Sequence, residues 1–387
     1  VPNLRFPEFS GEWEKTTIGK CCGNLEYGMN AAAKTFDGVN KYIRITDIDE
    51  DTSSYIQSDI VSPDARLEEK YRVTLNDILF ARTGASTGKT YLYRPDDGKL
   101  YFAGFLIRAN VKENYNSRFV FLQTKTSSYK RWVAIMSTRS GQPGINSQEY
   151  SSYSFKAPTL KEQNKIADIF RLLDERIATQ IKIIEKLESL IRGISNNLLY
   201  SESGTPVRLG DILSERSERT KVNNQHEVLS STVKGIFSQR EYFSKDIASE
   251  NNVGYKVIRL HDVVLSPQNL WMGNINYNDK FDIGIVSPSY KIFSISDSYD
   301  KRFVAAMLKT HRALYNYMLV SEQGASVVRR NLNMEAFEQL VFKMPPIDKQ
   351  REIGYAISAL QSRLELAVRT KTAYEKQKQW LLTQMFI

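Results

Sequence analysis

Thiols and imidazoles are almost missing from this chain. Its 387 residues hold two cysteines, the neighbours Cys21 and Cys22, and three histidines, His226, His261 and His311. Adjacent cysteines rarely bridge, and no third thiol offers a partner. A disulfide framework is therefore excluded and a reducing compartment expected. No Cys or His recurs at ligand spacing, which argues against zinc or another bound metal. No run of about 18 apolar residues occurs, so no membrane span is expected. The opening VPNLRFPEFSGEWEK lacks the basic start and apolar core of a secretory leader. Together these absences point to a cytoplasmic protein with no membrane partner.

Catalytic signatures are also scarce. The Asn/Asp-Pro-Pro-aromatic motif of an amino-methyltransferase is absent, as is a Gly-rich cofactor loop after a strand. The acids of Asp64, Glu68 and Glu69 beside Lys70 lie too close in sequence to occupy two neighbouring strands, as a metal nuclease needs. Three scattered histidines assemble no Ser/His/Asp or Cys/His set. FARTGASTGKT (80–90) ends like a phosphate loop, but only three residues separate Gly84 from Gly88 where four are needed. The next residues, TYLYRPDDG, read as a strand and a hairpin turn at Asp97-Gly98, not the helix a phosphate loop requires. A nucleotide hydrolase using Lys89 stays as the minor alternative.

What is present is positive charge and repetition. The net charge is +9 and the pI about 9.2, a balance suited to a polyanion, nucleic acid first. Residues 138–170 have a counterpart at 321–357. Pro158 answers Pro345, Leu160 answers Ile347, Gln163 answers Gln350 and Ile166 answers Ile353. SRFVFLQTKT (117–126) resembles KRFVAAMLKT (301–310), and LNDILFARTGASTGKTYLY (75–93) resembles LHDVVLSPQNLWMGNINY (260–277). The unit is half the chain, so it is a duplicated domain-plus-helix and not a solenoid. In the second copy the Gly-Lys-Thr loop is replaced by Gln268-Asn269-Leu270-Trp271. A position that varies so freely suits a recognition loop.

Each unit ends in a long amphipathic helix. Thr159 to Glu162 makes a capping box behind Pro158, and aliphatic residues then recur every three or four positions. At 1.5 Å per residue, about 40 residues span about 60 Å. A stripe of that length needs a partner, so the two helices are expected to form an antiparallel coiled coil. Its seam would hold Ile166, Leu173, Ile177, Ile184 and Ile191 against Ile353, Ile357, Leu360 and Leu364. Lys371 and Lys378 fall near that face and weaken it. The alternative is that each helix packs on its own domain. The expected fold is α+β: two mixed α/β domains, residues 1–158 and 201–344, joined by helices over 159–200 and 345–387. SESGTP (201–206) is the linker, and the internal repeat makes the whole pseudo-two-fold, with the domains at opposite ends of a rod.

Loops rich in Arg, Lys, Asn and Gln remain for function. In the first domain these are Arg82, Thr83, Ser86, Thr87 and Lys89, with Arg139, Ser140, Gln142 and Asn146. In the second they are Gln268, Asn269, Trp271 and Asn274, with Gln323, Ser326, Arg329, Arg330 and Asn331. Arg pairs with guanine, Asn and Gln with adenine, and Lys, Ser and Thr hold phosphates. Any one of them alone reads as an ordinary solvated loop residue. Two equivalent sets on a basic chain favour double-stranded DNA.

The opening VPNLRFPEFSGEW, the stretches DILFARTGASTGKTYLY and APTLKEQNKIADIFRLLDERI, and MPPIDKQREI resemble the specificity subunits of type I restriction–modification systems, the HsdS family. The resemblance runs over essentially the whole chain. It implies two target-recognition domains, each reading half of a bipartite site, and helices that set the spacer. It implies two methyltransferase subunits as partners, with restriction subunits joining through them. Catalysis, S-adenosylmethionine, ATP and Mg would then belong to those partners, and this chain would be no enzyme. A solitary DNA-binding scaffold without such partners is the other class left open.

Overall fold

Asn76-Asp77 and His261-Asp262 fix the same point in each half. In the computed structural model, which describes residues 2–138, 143–199, 204–242, 251–323 and 330–386, Asn76 and His261 take left-handed backbone angles, φ 67° and 75°. Asn and His tolerate that region better than most residues. The aspartate that follows accepts the amide three residues back, from Thr74 and from Arg259, each at 2.7 Å. Burial raises the pKa of both carboxyls. From these turns run wholly buried strands, Asp77–Ala81 and Val263–Leu265. Burial on both faces explains why ILFA (78–81) and VVL (263–265) read as continuous apolar runs.

The chain divides into two compact units, Val1–Gln180 with Thr370–Ile387, and Ile181–Arg369. In the first, an antiparallel sheet runs in the order Glu26–Tyr27, Leu106–Asn110, Asp77–Ala81, Thr90–Leu92. In the second the order is Leu213–Arg216, Lys291–Ile295, Val263–Leu265, Ile275–Tyr277, the same topology. A two-stranded pair closes each unit, Glu14–Thr17 with Ser154–Ala157 and Thr205–Arg208 with Val341–Met344. Helices cover the sheets: Ser117–Gln123 and Ser127–Ser137 in one, Lys301–Leu308 and His311–Leu319 in the other. The fold is thus α+β with an internal repeat. The halves differ at one edge. Lys41–Ile43 pairs parallel with Leu100–Phe102, whereas Lys256–Arg259 pairs antiparallel with Ile283–Val286.

Two expectations about turns change. Pro95–Asp97 is a 3-10 turn and Gly98 has φ 79°. The strands on either side do not pair: Thr90–Leu92 joins Asp77–Ala81, and Leu100–Phe102 joins Lys41–Ile43. Asp-Gly makes a turn here but no hairpin. The expected linker SESGTP lies partly outside the described residues, at 201–203, and Thr205 and Pro206 already belong to a strand.

The long helices run Leu160–Leu199 and Ile347–Met385. The Pro–Gln motif before each of them is a clip. Buried Gln163 donates to the carbonyl of Pro158 at 2.8 Å and accepts the amide of Asn116 at 3.0 Å. Buried Gln350 donates to Pro345 at 2.8 Å and accepts from Asp300 at 3.0 Å. Asn116 and Asp300 are themselves the N-caps of the helices that follow them. One amide side chain thus ties the root of each long helix to the helical layer of its unit. Glu162 does not turn back to complete the capping box. Its carboxylate is 1% exposed and accepts from Arg5 at 2.7 Å and from Trp13, pinning the opening segment.

Within the first unit the two long helices run antiparallel. Phe170 packs on Phe386, Asp174 pairs with Lys378 at 2.6 Å, and Arg176 lies over Tyr374. Lys378 therefore links the helices where it was expected to weaken them, and Asp174 also holds Arg118 at 3.0 Å. Lys371 pairs with Glu375 along its own helix. Ile166 and Leu173 lie in the first unit's core with Trp13, Phe119 and Tyr150, a core that also takes in Leu381, Met385 and Phe386. Ile353 and Ile357 lie in the second unit's core with Phe303 and Tyr317. Ile177, Ile184, Ile191, Leu360 and Leu364 are half-buried, the thinner stripe of a coiled coil. The first helix enters the first unit's core at its start, and the second helix enters one core at its start and the other at its end.

Replacing Gln163 by Ala strands a buried carbonyl and a buried amide. The expected cost is about 1–3 kcal/mol, read from urea unfolding. Glu at the same position fails as well, since a carboxylate cannot donate to Pro158. A Gln163→Ala variant as stable as the parent rules the clip out as a structural anchor.

Candidate nucleic-acid interface

The loop between the two buried strands of the first unit is framed by its own backbone. Gly84–Ser86 forms a 3-10 turn. Gly84 donates to Pro143, Thr87 to Gly84, Gly88 to Ala81 and Lys89 to Ser86. The Gly88 amide is also within 3.1 Å of the Tyr150 hydroxyl. These four amides point at protein acceptors and are not turned toward a phosphate. The Thr87 hydroxyl closes on Gly84 at 2.7 Å, and Lys89 faces Glu50 at 3.3 Å.

The two loops singled out in the first unit meet. Ile145 donates to the carbonyl of Arg82 at 2.9 Å, and Thr83 bridges Gly144. Arg139, Ser140 and Gln142 lie outside the described residues. Asn146 is exposed but caps the helix Ser147–Ser152, accepting from Glu149, so its side chain is already committed. Ser86 is half-buried within the turn.

The second unit repeats the arrangement. Its loop carries the 3-10 turn Leu270–Met272, closed by Gly273 at φ 95°. Arg330 donates its amide to the carbonyl of Gln268 at 3.2 Å, again joining the two loops. The strand Arg330–Leu332 pairs with Ser321–Gln323. Gln268 and Asn331 are exposed, and Asn269 and Trp271 half-buried. Ser326 and Arg329, and the side chain of Gln323, lie outside the described residues. Asn274 was expected at the surface and is instead 6% exposed. Its amide accepts from the Ser231 hydroxyl at 2.9 Å and donates to the Ser231 carbonyl at 3.1 Å. Its place is structural, because a buried amide needs both ends paired.

Some residues of this region carried no signal in the sequence. A cleft of about 540 Å³ opens beside Arg82, lined by Tyr27, Asn30, Arg44 and Phe105. The exposed ring of Tyr27 lies under the Arg82 guanidinium, 4.8 Å from its centre, and its hydroxyl accepts the Ser147 amide at 3.2 Å. Gly28 beside it admits no larger residue, since a Cβ there would stand 2.3 Å from the Ala103 carbonyl oxygen. Arg44 is held by Asp47 at 2.8 Å.

Behind each loop lies a lysine at matching places in the repeat. Lys125 reaches Ser53 at 2.5 Å and the hydroxyl of Thr90 at 2.6 Å. Lys309 reaches Asn276 at 2.6 Å. Thr90 and Asn276 stand on the strands that leave the two loops. Burial of its ammonium lowers Lys125 to about 7, with the charges of Lys378 and Lys130 adding to the effect, and burial lowers Lys309 to about 8. The repeated Lys-Thr at the end of the two matching stretches was the available hint. Among the described residues, no group of three or more His, Cys, Asp or Glu is placed to hold a metal, and no helix is long and apolar enough to cross a membrane.

Calorimetric titration with ATP is expected to give no saturable binding; saturation abolished by Lys89→Ala would restore the phosphate-loop reading. Lys125 gives a pH signature. An unfolded lysine titrates near about 10.4, so between about 7 and that value the unfolded chain holds the extra proton and folding stability rises with pH. From pH 7 to 9 the parent should gain stability relative to Lys125→Met in denaturant unfolding. A constant difference between the two would place the ammonium in solvent.

Comparison with known proteins fits this geometry. Residues 11–189 match the model of the type I restriction modification DNA specificity domain. A protein of Methanocaldococcus jannaschii assigned as the MjaX type I restriction enzyme specificity subunit is 22% identical over 345 residues, 81% of this chain and 78% of that one. The crystal structure of the type I restriction–modification S subunit from M. genitalium covers 100% of this chain and 99% of that chain, with a TM-score of 0.67 at 15% identity. That likeness is one of fold, over the full length. The family match covers residues 11–189, less than half of the chain, and that segment is similar to the type I restriction modification DNA specificity domain.

Proposed function

We propose that this chain gives a type I restriction–modification complex its DNA target, each unit reading one half of a bipartite site. The observation that carries this reading is the framed loop pair, present at the same place in both units. In each, a short 3-10 turn after a buried strand is bonded to a second polar loop, while the side chains that the frame carries differ. A constant frame with variable side chains is what target recognition requires. The positive charge supplies the sequence-independent attraction to the phosphate backbone.

The long helices hold the half-sites at a set spacing and dock two methyltransferase subunits. Exposed Leu172, Ile183 and Leu190 on the first helix, and Tyr355, Leu366 and Trp380 on the second, support a docking role. The methyltransferase subunits bring S-adenosylmethionine and modify adenine. Restriction subunits, with ATP and Mg, join through them, so this chain contributes no catalytic group of its own.

The test is to express the chain with its methyltransferase subunit in a methylation-free host and map modified adenines. A two-part motif with an unread gap is expected. An assembled complex that leaves no motif overturns the reading in favour of a solitary scaffold. Removing one turn from each long helix should change the gap and leave the half-sites alone; an unchanged gap counts against the helices as the spacer.

A further inference from the structure

Many arginines of this protein are neutralised where they sit. Arg5 pairs with Glu162, Arg44 with Asp47, Arg118 with Asp174, Arg216 with Asp262 and Arg259 with Glu218. Two at the loop junctions are held differently. Arg82 lies 4.8 Å from the ring centre of Tyr27, and Arg330 lies 4.9 Å from that of Trp271. Among the described residues neither is paired with a carboxylate.

Their backbones matter as much. The carbonyl of Arg82 accepts the bond that joins the loops of the first unit, and the amide of Arg330 donates the one that joins the loops of the second. Each guanidinium is thus fixed at its root by the junction and along its face by an aromatic ring. Arg82 sits on the first loop of its unit and Arg330 on the second loop of the other, so the duplication did not place them. The same solution is reached from two sides of one junction.

A guanidinium held over a ring keeps its charge and loses little further freedom on binding. Its N–H donors that are not used within the protein stay available to a ligand. Within a groove of duplex DNA, such donors match the O6 and N7 acceptors of guanine. Resting on the function proposed for the two units, we infer that Arg82 and Arg330 are specificity-determining residues, each reading one guanine in its unit's half-site. Tyr27 and Trp271 are positioning residues that aim them. The Nε of Arg330 is buried without a partner and one terminal nitrogen donates to the Met318 carbonyl at 3.5 Å, so this arginine meets its ligand through the remaining hydrogens of its terminal nitrogens.

The test is selection of bound duplexes from a random pool by the chain in complex with its methyltransferase subunit, for the parent and for R82A, R82K, R330A and R330K. The parent is expected to select a G·C pair in each half. R82A and R82K should each lose about tenfold or more of the preference at one G·C position in one half, and the Arg330 variants likewise in the other. Lysine keeps the charge but lacks the fork, so it should recover overall affinity without the lost preference. Should an alanine variant fail to fold, its lysine counterpart decides. Weaker binding with an unchanged motif would mean phosphate contacts and overturns the inference. So does a parental motif without a G·C pair in either half. A parent that selects no bipartite sequence at all refutes instead the function on which the inference rests.

Discussion

A buried glutamine at the root of each long helix is the constraint on which the architecture depends. A primary amide has a donor end and an acceptor end, and burial makes both obligatory. Gln163 and Gln350 satisfy them with the same two groups, a proline carbonyl behind the helix and the capping residue of a neighbouring helix. The proline ends the preceding strand, and the amide then fixes where the helix departs. Ile166 and Ile353, one turn further on, consequently enter their cores. A hydrophobic anchor alone would leave the departure angle loose.

That clip also explains what the sequence disclosed. The recurrence of Pro, aliphatic and Gln at one offset was legible because both copies satisfy the same two backbone groups. The helices were legible from their periodicity. The seam was drawn too uniformly, since a stripe of Ile and Leu looks the same whether it faces a domain core or another helix. Lys378 was misjudged for a related reason. Its partner Asp174 lies 204 residues away, and no local pattern announces such a pair. The hairpin expected at Asp97-Gly98 failed similarly: the turn is local chemistry, but strand pairing is decided by the whole sheet.

At the candidate site, some of the residues that composition singled out are committed to the structure itself. Asn274 has the chemistry of an adenine reader and serves the core, its amide spent on Ser231. Asn146 is spent on a helix cap. Tyr27 lies 55 residues before Arg82 in a stretch with no motif to single it out, and the sheet order brings it under the guanidinium. Residue type says what a side chain can bond. Whether its capacity remains available depends on neighbours that are distant in sequence.

The Gly-Lys-Thr loop shows how frame and chemistry separate in this fold. Four of its amides are bonded internally, so the turn is framed by the protein's own carbonyls. In the second unit, different residues build a similar turn and the same junction to a second loop. Side chains at such positions can be exchanged without disturbing the strands behind them, because the strands are buried and their register is set by the sheet. Many arginines elsewhere are matched by carboxylates, which confines unmatched positive charge to fewer places. The core and the glutamine clips hold still, and the polar loops stand in front of them.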